Sequence, residues 1–246
     1  MKYVTALYES LWGIYAWTVF LVSVLASLIV VTVVPSARWR RRFVVRSARS
    51  AFVLSGVDVR VDGIDRLPEE HCVVVANHAS YVDGPLLKAY LPPRFSFVIK
   101  GEMRNVPVVH FLLRRSGARF VERFTAAGSA RDARQIVKAA QDGQSLAFFP
   151  EGTFLPEVGV GAFRPGAFVA AVRGGMPVVP VAISGTRAMM PHGDALPKPR
   201  PLAIDILQPI ATDDPAFADP RQLAEAARQR ILAVLDEPDL LEKPRD

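Results

Sequence analysis

Cysteine is almost missing. Cys72 stands alone in 246 residues, which excludes an internal disulfide and suits a reducing compartment. No serine sits in a Gly-x-Ser-x-Gly elbow, the strand-to-helix turn that exposes a nucleophilic hydroxyl, so an acyl-serine route of that kind has no candidate. Metal-ligand spacing is also absent, and no metal site is expected. The nearest approach to a metal-dependent hydrolase is His71, Cys72, His78 and Asp83, but the two histidines lie seven apart across a strand. Charge is missing in two ways. Leu11 to Val34 carries none, and the chain beyond residue 50 is formally neutral, because seven basic residues against Glu9 in residues 1–50 already supply the net +6. A globular surface built for nucleic acid is therefore excluded.

Hydrophobic residues make up 50% of the chain, enough for a sizeable core. The uncharged run would form a helix of about 36 Å, longer than the roughly 30 Å of a hydrocarbon core. A secretory signal peptide fits poorly, since the run is long and the basic cluster follows it. Pro35 breaks the helix. From Arg38 to Ser55, arginines alternate with Trp39, Phe43, Val44, Val45, Phe52, Val53 and Leu54, which suits a second helix at headgroup level with its arginines on anionic phosphates. Residues 1–55 thus read as a membrane anchor that spans or embeds as a hairpin, and residues 56–246 as a folded domain. The arginines place that domain on the cytoplasmic side of the inner (cytoplasmic) membrane.

Within the domain, Val57–Val61 alternates as a half-exposed strand and Cys72–Ala76 reads as a buried one. Further strands are expected at Phe95–Ile99, Gly117–Arg123, Leu146–Phe149, Val178–Ile183 and Leu202–Leu207. Helices are expected at Pro85–Tyr90, at Val106–Arg115 with His110 as a packing histidine, from a Ser129 N-cap to Gly143, at Phe163–Arg173, and around Leu223, Ala227, Ile231 and Val234. The fold class is α/β: about seven strands in a mixed, partly parallel sheet flanked by helices, with the N-terminal helical hairpin added.

Functional groups in such sheets gather beyond the carboxyl ends of strands. Four sets do so here. His78 and Asp83 follow the buried strand, Lys100 ends the next, Glu122 and Arg123 end a third, and Glu151, Gly152 and Thr153 follow a fourth. His78 could act as a general base with Asp83 orienting its far nitrogen. On a regular helix residues five apart stand about 140° from one another, so the pair requires the segment to curl before the helix begins. The plainer alternatives are that Asp83 only caps a helix and that Glu151 only caps a helix or pairs with a nearby cation.

With its order of motifs, residues 55 to 210 resemble the glycerolipid acyltransferase family that includes bacterial 1-acyl-glycerol-3-phosphate acyltransferases. Asn77-His-Ala-Ser-Tyr-Val-Asp83 matches the first motif, Gly117-Ala-Arg-Phe-Val-Glu-Arg123 the second, Phe149-Pro150-Glu-Gly-Thr153 the third and Val179-Pro180-Val181 the fourth. Phe154-Leu155-Pro156 departs from the Arg/Lys and Ser that usually follow the third motif. A basic residue returns at Arg164, in Phe163-Arg164-Pro165-Gly166.

The resemblance implies an acyltransferase without a resident cofactor. His78 would deprotonate the hydroxyl of a lysophospholipid, which attacks the thioester of acyl-CoA or acyl-carrier protein. Lys100, Glu122, Arg123, Glu151, Gly152, Thr153 and Arg164 would shape the acceptor site. Partners would be membrane lipids and the acyl donor, with no nucleic acid. Lysophosphatidic acid is the expected acceptor. Lyso-ornithine lipid or another lysolipid is the alternative, and a non-catalytic membrane-binding protein a remote one that leaves the strand-end motifs unexplained.

Overall fold

The computed structural model describes residues 2–121, 126–154 and 156–242. Seven strands form one mixed sheet: β1 (Val59–Asp62), β2 (Val73–Ala76), β3 (Ser96–Lys100), β4 (Arg119–Val121), β5 (Leu146–Phe148), β6 (Val178–Ser184) and β7 (Leu202–Ile206). Their spatial order is β1-β7-β6-β2-β5-β3-β4. β6, β2, β5, β3 and β4 run parallel, β7 runs against β6, and β1 is parallel to β7. The mixed sheet expected from the sequence is thus present.

The valine run explains why β2 is central. Val73 and Val75 face a core layer with Ile136, Phe168, Leu223 and Ala227, while Cys72, Val74 and Ala76 face one with Leu86, Leu87, Phe95 and Ile204. A strand covered on both faces needs apolar residues at every position, not at alternate ones. Helices α5 (Ala126–Gln141), α6 (Gly166–Gly174) and α8 (Pro220–Leu232) cover the first layer; α3 (Asp83–Tyr90) lies over the second. α4 (Pro107–Arg115) joins β3 to β4, and a short α7 (Thr186–Met189) follows β6. Pro180 is tolerated inside β6 because its carbonyl accepts from Leu207 N at the end of the β7 ladder. Its missing N–H faces that same side, where pairing with β7 begins only at Val181.

One expectation is corrected and one alternative is set aside. Ser129 does not cap a helix but lies inside α5, which begins three residues earlier at Ala126. Asp83 is the first residue of α3 with Val82 at the N-cap, and its carboxylate reaches back to the preceding turn instead of forward to the helix N–H groups. His110 is half-buried and sets its ring edge-on to Phe120 at 4.9 Å.

At the N-terminus, α1 (Lys2–Val33) and α2 (Ala37–Leu54) form an antiparallel hairpin. α1 is long and apolar enough to cross a membrane. It is nevertheless tied to the domain at both ends. Near its start, Glu9 pairs with Arg200 at 2.7 Å and Trp17 Nε1 donates to Ala195 O at 2.8 Å. Near its end, Arg115 Nε donates to Val31 O at 2.9 Å. Small residues at helical spacing, Gly13, Ala16, Ser23 and Ser27, lie on its inner side, while Leu7, Leu11, Ile14, Leu21, Leu25 and Ile29 are exposed. That is a one-sided apolar stripe.

Candidate active site

The site is made where β2 leaves the sheet. Asn77 replaces a rung of the β2–β6 ladder with its side chain: Nδ2 donates to Ile183 O at 2.9 Å and Oδ1 accepts from Ile183 N at 2.7 Å. The backbone is thereby free to turn while still pinned to β6. Over the next five residues it curls so that His78 Nδ1 meets Asp83 Oδ2 at 2.8 Å. The same oxygen accepts from Ala79 N at 2.6 Å and Ser80 N at 2.8 Å. Asp83 is fully buried, so these three donors are what compensate the charge it would otherwise leave unpaired.

An ionised carboxylate only accepts, so Nδ1 carries the imidazole proton and Nε2 the lone pair. His78 keeps 18% side-chain exposure, and Nε2 has no protein partner among the described residues. Phe149 stacks on the imidazole at 4.4 Å and Phe154 meets it edge-on at 4.9 Å. Tyr81 and His192 contact the same Phe154 ring. Ser80 Oγ donates to Met190 O at 2.9 Å and ties the turn to the loop after α7.

Glu151 lies where strand register puts it. β2 and β5 pair Val73 with Leu146 and Val75 with Phe148, and continuing that register brings His78 level with Glu151. His78 N donates to Glu151 Oε1 at 2.7 Å, and Gly161 N donates to Oε2 at 3.0 Å. Burial raises the Glu151 carboxyl above its ordinary range; the two backbone N–H groups and His78 oppose this, and Asp83 adds to it. Gly152 has φ of 84°, a left-handed conformation that favours glycine. Thr153 is exposed, and Arg164 N donates to Pro150 O at 2.9 Å with its side chain in solvent.

The remaining candidates stand apart. Lys100 is exposed at the end of β3, two strands from β2, roughly 10 Å across the sheet. Glu122 and Arg123 lie outside the described residues. His71 and Cys72 precede β2 while His78 and Asp83 follow it, so the four side chains considered for a metal site do not converge.

Two contributors have no signature in the sequence. One is the backbone N–H of Gly161. The other is the C-terminal stretch that fixes it: Val160 N donates to Pro238 O at 3.0 Å, and Leu240 N to Val160 O at 3.2 Å. That stretch is itself fastened by Asp239 to the buried Arg228 and by Glu237 to Arg187. Phe154 was visible only as a departure from a motif.

Comparison with known proteins places this geometry among relatives. The chain is 28% identical over 189 residues to the 1-acyl-sn-glycerol-3-phosphate acyltransferase of Saccharomyces cerevisiae, covering 75% of this chain and 62% of that one. It is 34% identical over 139 residues to the lyso-ornithine lipid O-acyltransferase of Pseudomonas aeruginosa, covering 56% and 52%. The chain spans about half the length of most of the curated relatives it matches. The crystal structure of the 1-acyl-sn-glycerophosphate acyltransferase from Thermotoga maritima superposes with a TM-score of 0.76 over 92% of this chain and 94% of that one, at 24% identity, a likeness of fold. The acyltransferase family model matches residues 58–184. That is just over half of the chain and takes in both the His78–Asp83 turn and Glu151, so the chain belongs to the acyltransferase family.

Proposed function

We propose that this protein transfers a fatty acyl group from a thioester, acyl-CoA or acyl-carrier protein, to the free hydroxyl of 1-acyl-sn-glycerol-3-phosphate. The observation that carries it is the 2.8 Å contact between His78 Nδ1 and Asp83 Oδ2 at the end of a buried strand, within a match to the acyltransferase family. Nε2 takes the hydroxyl proton as that oxygen attacks the thioester carbonyl. The resulting imidazolium is stabilised by Asp83. Collapse of the tetrahedral adduct breaks the carbon–sulfur bond, and the departing thiolate recovers the proton from His78. A free thiol has a pKa of about 8.5, so the leaving group is a good one and no acyl-enzyme is required.

α1 is read as lying in the membrane plane, because a helix of about 48 Å cannot cross a bilayer while both its ends stay bound to one face of the same domain. The domain would then rest on the cytoplasmic leaflet with its arginines at the headgroups. Deleting residues 1–55 should abolish vesicle flotation and activity on vesicle-borne acceptor; flotation equal to that of the full chain would refute the anchor.

A second reading has its own support. The relative with 34% identity is named a lyso-ornithine lipid O-acyltransferase, and the ring edge-on to His78 is the apolar Phe154. A panel of lysophosphatidic acid, lyso-ornithine lipid and other lysolipids, each with labelled acyl-CoA and acyl-carrier protein, decides between them. No transfer to any of them would overturn the reading as an acyltransferase on lysolipids.

A further inference from the structure

Arginines on α2 do two different jobs. Arg40 is occupied by carbonyls: it donates to Val34 O, Pro35 O and Arg115 O, and so closes the carboxyl ends of α1 and α4. Arg38, Arg41 and Arg42 are not used in that way. They fall at i, i+3 and i+4 and so share a face of the helix. That face forms one wall of a cleft whose other wall is Pro92, Pro93 and Arg94.

Like charges at this spacing repel. Among the described residues none of the four arginines pairs with a carboxylate. Two of them are nonetheless held in place. Arg94 donates to Pro68 O and Glu69 O. Arg41 reaches Ser96 Oγ at 3.4 Å and packs over Gly117, where an added Cβ would stand 2.4 Å from its guanidinium. The positive field is also registered by neighbours: Lys88 is pushed down to about 8 by burial and then by Arg41.

Ser96 opens β3 and Gly117 precedes β4, so the cleft lies at the amino ends of the strands whereas His78 lies beyond a carboxyl end. A five-residue strand puts roughly 15 Å between those ends. Beside the cleft, the hairpin turn exposes Ile29, Val33 and Trp39, and Arg42 sits over the Trp39 ring at 5.5 Å. Positive charge bordered by exposed apolar residues fits a ligand with an anionic head and acyl tails. A zwitterionic headgroup would bring its own ammonium into an arginine cluster and be disfavoured.

We propose that the cleft between the start of α2 and Pro92-Pro93-Arg94 binds the phosphate of one anionic membrane phospholipid, at a site separate from the His78 turn. Its tails lie along Val33 and Trp39. The proposal holds whichever lysolipid is the acceptor.

The test uses the full chain in neutral nonionic micelles, titrated calorimetrically with short-chain phosphatidylglycerol, short-chain phosphatidylcholine or inorganic phosphate. Phosphatidylglycerol should bind once per chain, with the other two far weaker. Arg38→Gln/Arg42→Gln should weaken that binding by about tenfold or more, as expected for lost charge-assisted contacts. The charge-matched control Arg114→Gln/Arg221→Gln should bind like the parent, and lipid-free melting establishes that both variants fold. Equal binding of the two lipids, or equal weakening in both double variants, would reduce the effect to diffuse charge and overturn the site. Phosphate binding as tight as phosphatidylglycerol would make it a free-anion site. If the cleft variant instead loses binding of acidic acyl-carrier protein while keeping phosphatidylglycerol, the face docks a protein and the proposal fails.

Discussion

The backbone N–H of His78 and the Oε1 of Glu151 are 2.7 Å apart, and the other oxygen of that carboxylate holds Gly161 N. Glu151 thus joins two loops from different strand ends with one side chain, next to the imidazole it positions. Sequence reasoning gave it to the acceptor pocket. Its two hydrogen bonds give it a positioning task that acts on His78 through the backbone.

Glu151→Gln should therefore lower kcat and leave the acceptor KM nearly unchanged. A glutamine offers one acceptor oxygen, and its amide N–H₂ would face the second donor. A displacement of the base by a fraction of an ångström to an ångström costs on the order of 100-fold in rate. Stability should change little. The folded-state carboxyl is raised, so its contribution is full below the ordinary carboxylate pKa and is lost as pH rises through the raised value. Above the ordinary carboxylate range the raised value is a net cost that glutamine removes, and the hydrogen bond glutamine gives up offsets that gain. A raised acceptor KM with kcat preserved would return Glu151 to the acceptor pocket.

The dyad gives the sharpest loss. His78→Ala should abolish transfer, and Asp83→Asn should reduce it by about 10² to 10⁴-fold, the range of a positioned general base. Asparagine can still accept one hydrogen bond, but the preference for the Nδ1–H tautomer and the stabilisation of the imidazolium go. Fold and membrane binding should survive His78→Ala, because the ring is partly exposed and serves no core. A folded His78→Ala protein that still transfers acyl groups would disprove the assignment.

Legibility followed the kind of partner a residue has. The Val73–Val75 run announced a central strand because burial on both faces leaves its mark in side chains. His78 and Asp83 were legible as a pair because their spacing demanded a curl that the chain then makes. Glu151 was found, but not its two hydrogen bonds, since its partners are backbone N–H groups that any residue could supply. Asp239 and Arg228, which hold the stretch behind Gly161, are far apart in purpose from any motif and gave no signal. Ser129 misled because a serine before a helical face reads as a cap, whereas α5 already begins at Ala126, directly after Thr125, a residue type equally suited to that position.

Lys88 supplies a pH test. Its ammonium lies 5.1 Å over the Phe97 ring, and burial followed by Arg41 lowers it from 10.5 to about 8. A base with a depressed folded value contributes stability that is complete above pH 10.5 and is lost as pH falls through about 8. The cost left at pH 7 is on the order of 2 kcal/mol after allowance for partial exposure. Lys88→Met keeps the aliphatic stem and removes the charge. Its Tm at pH 7 should exceed the parent's by several degrees, and the parent's gain in Tm between pH 8 and 10 should flatten. A variant melting below the parent at pH 7 with the same pH slope would show that Lys88 is well compensated.

Arg123 separates the two acceptor readings. It closes the motif Gly117-Ala-Arg-Phe-Val-Glu-Arg123, and by the family resemblance it would face the acceptor headgroup. If the acceptor is lysophosphatidic acid, its guanidinium grips the phosphate with paired N–H groups. Losing a charge-assisted contact of that kind costs about 1.5 to 3 kcal/mol, roughly tenfold to more than a hundredfold in affinity. Arg123→Ala should then raise the acceptor KM far more than the donor KM, and Arg123→Lys should recover only part, because a point charge replaces a planar fork. A lyso-aminolipid carries no phosphate, so with that acceptor the same substitutions should change KM little. A structural role, in a salt bridge with Glu122, would instead lower Tm and leave both KM values alone. Measuring the two KM values and Tm together tells these outcomes apart, and an unchanged acceptor KM in a folded Arg123→Ala enzyme would remove Arg123 from the site.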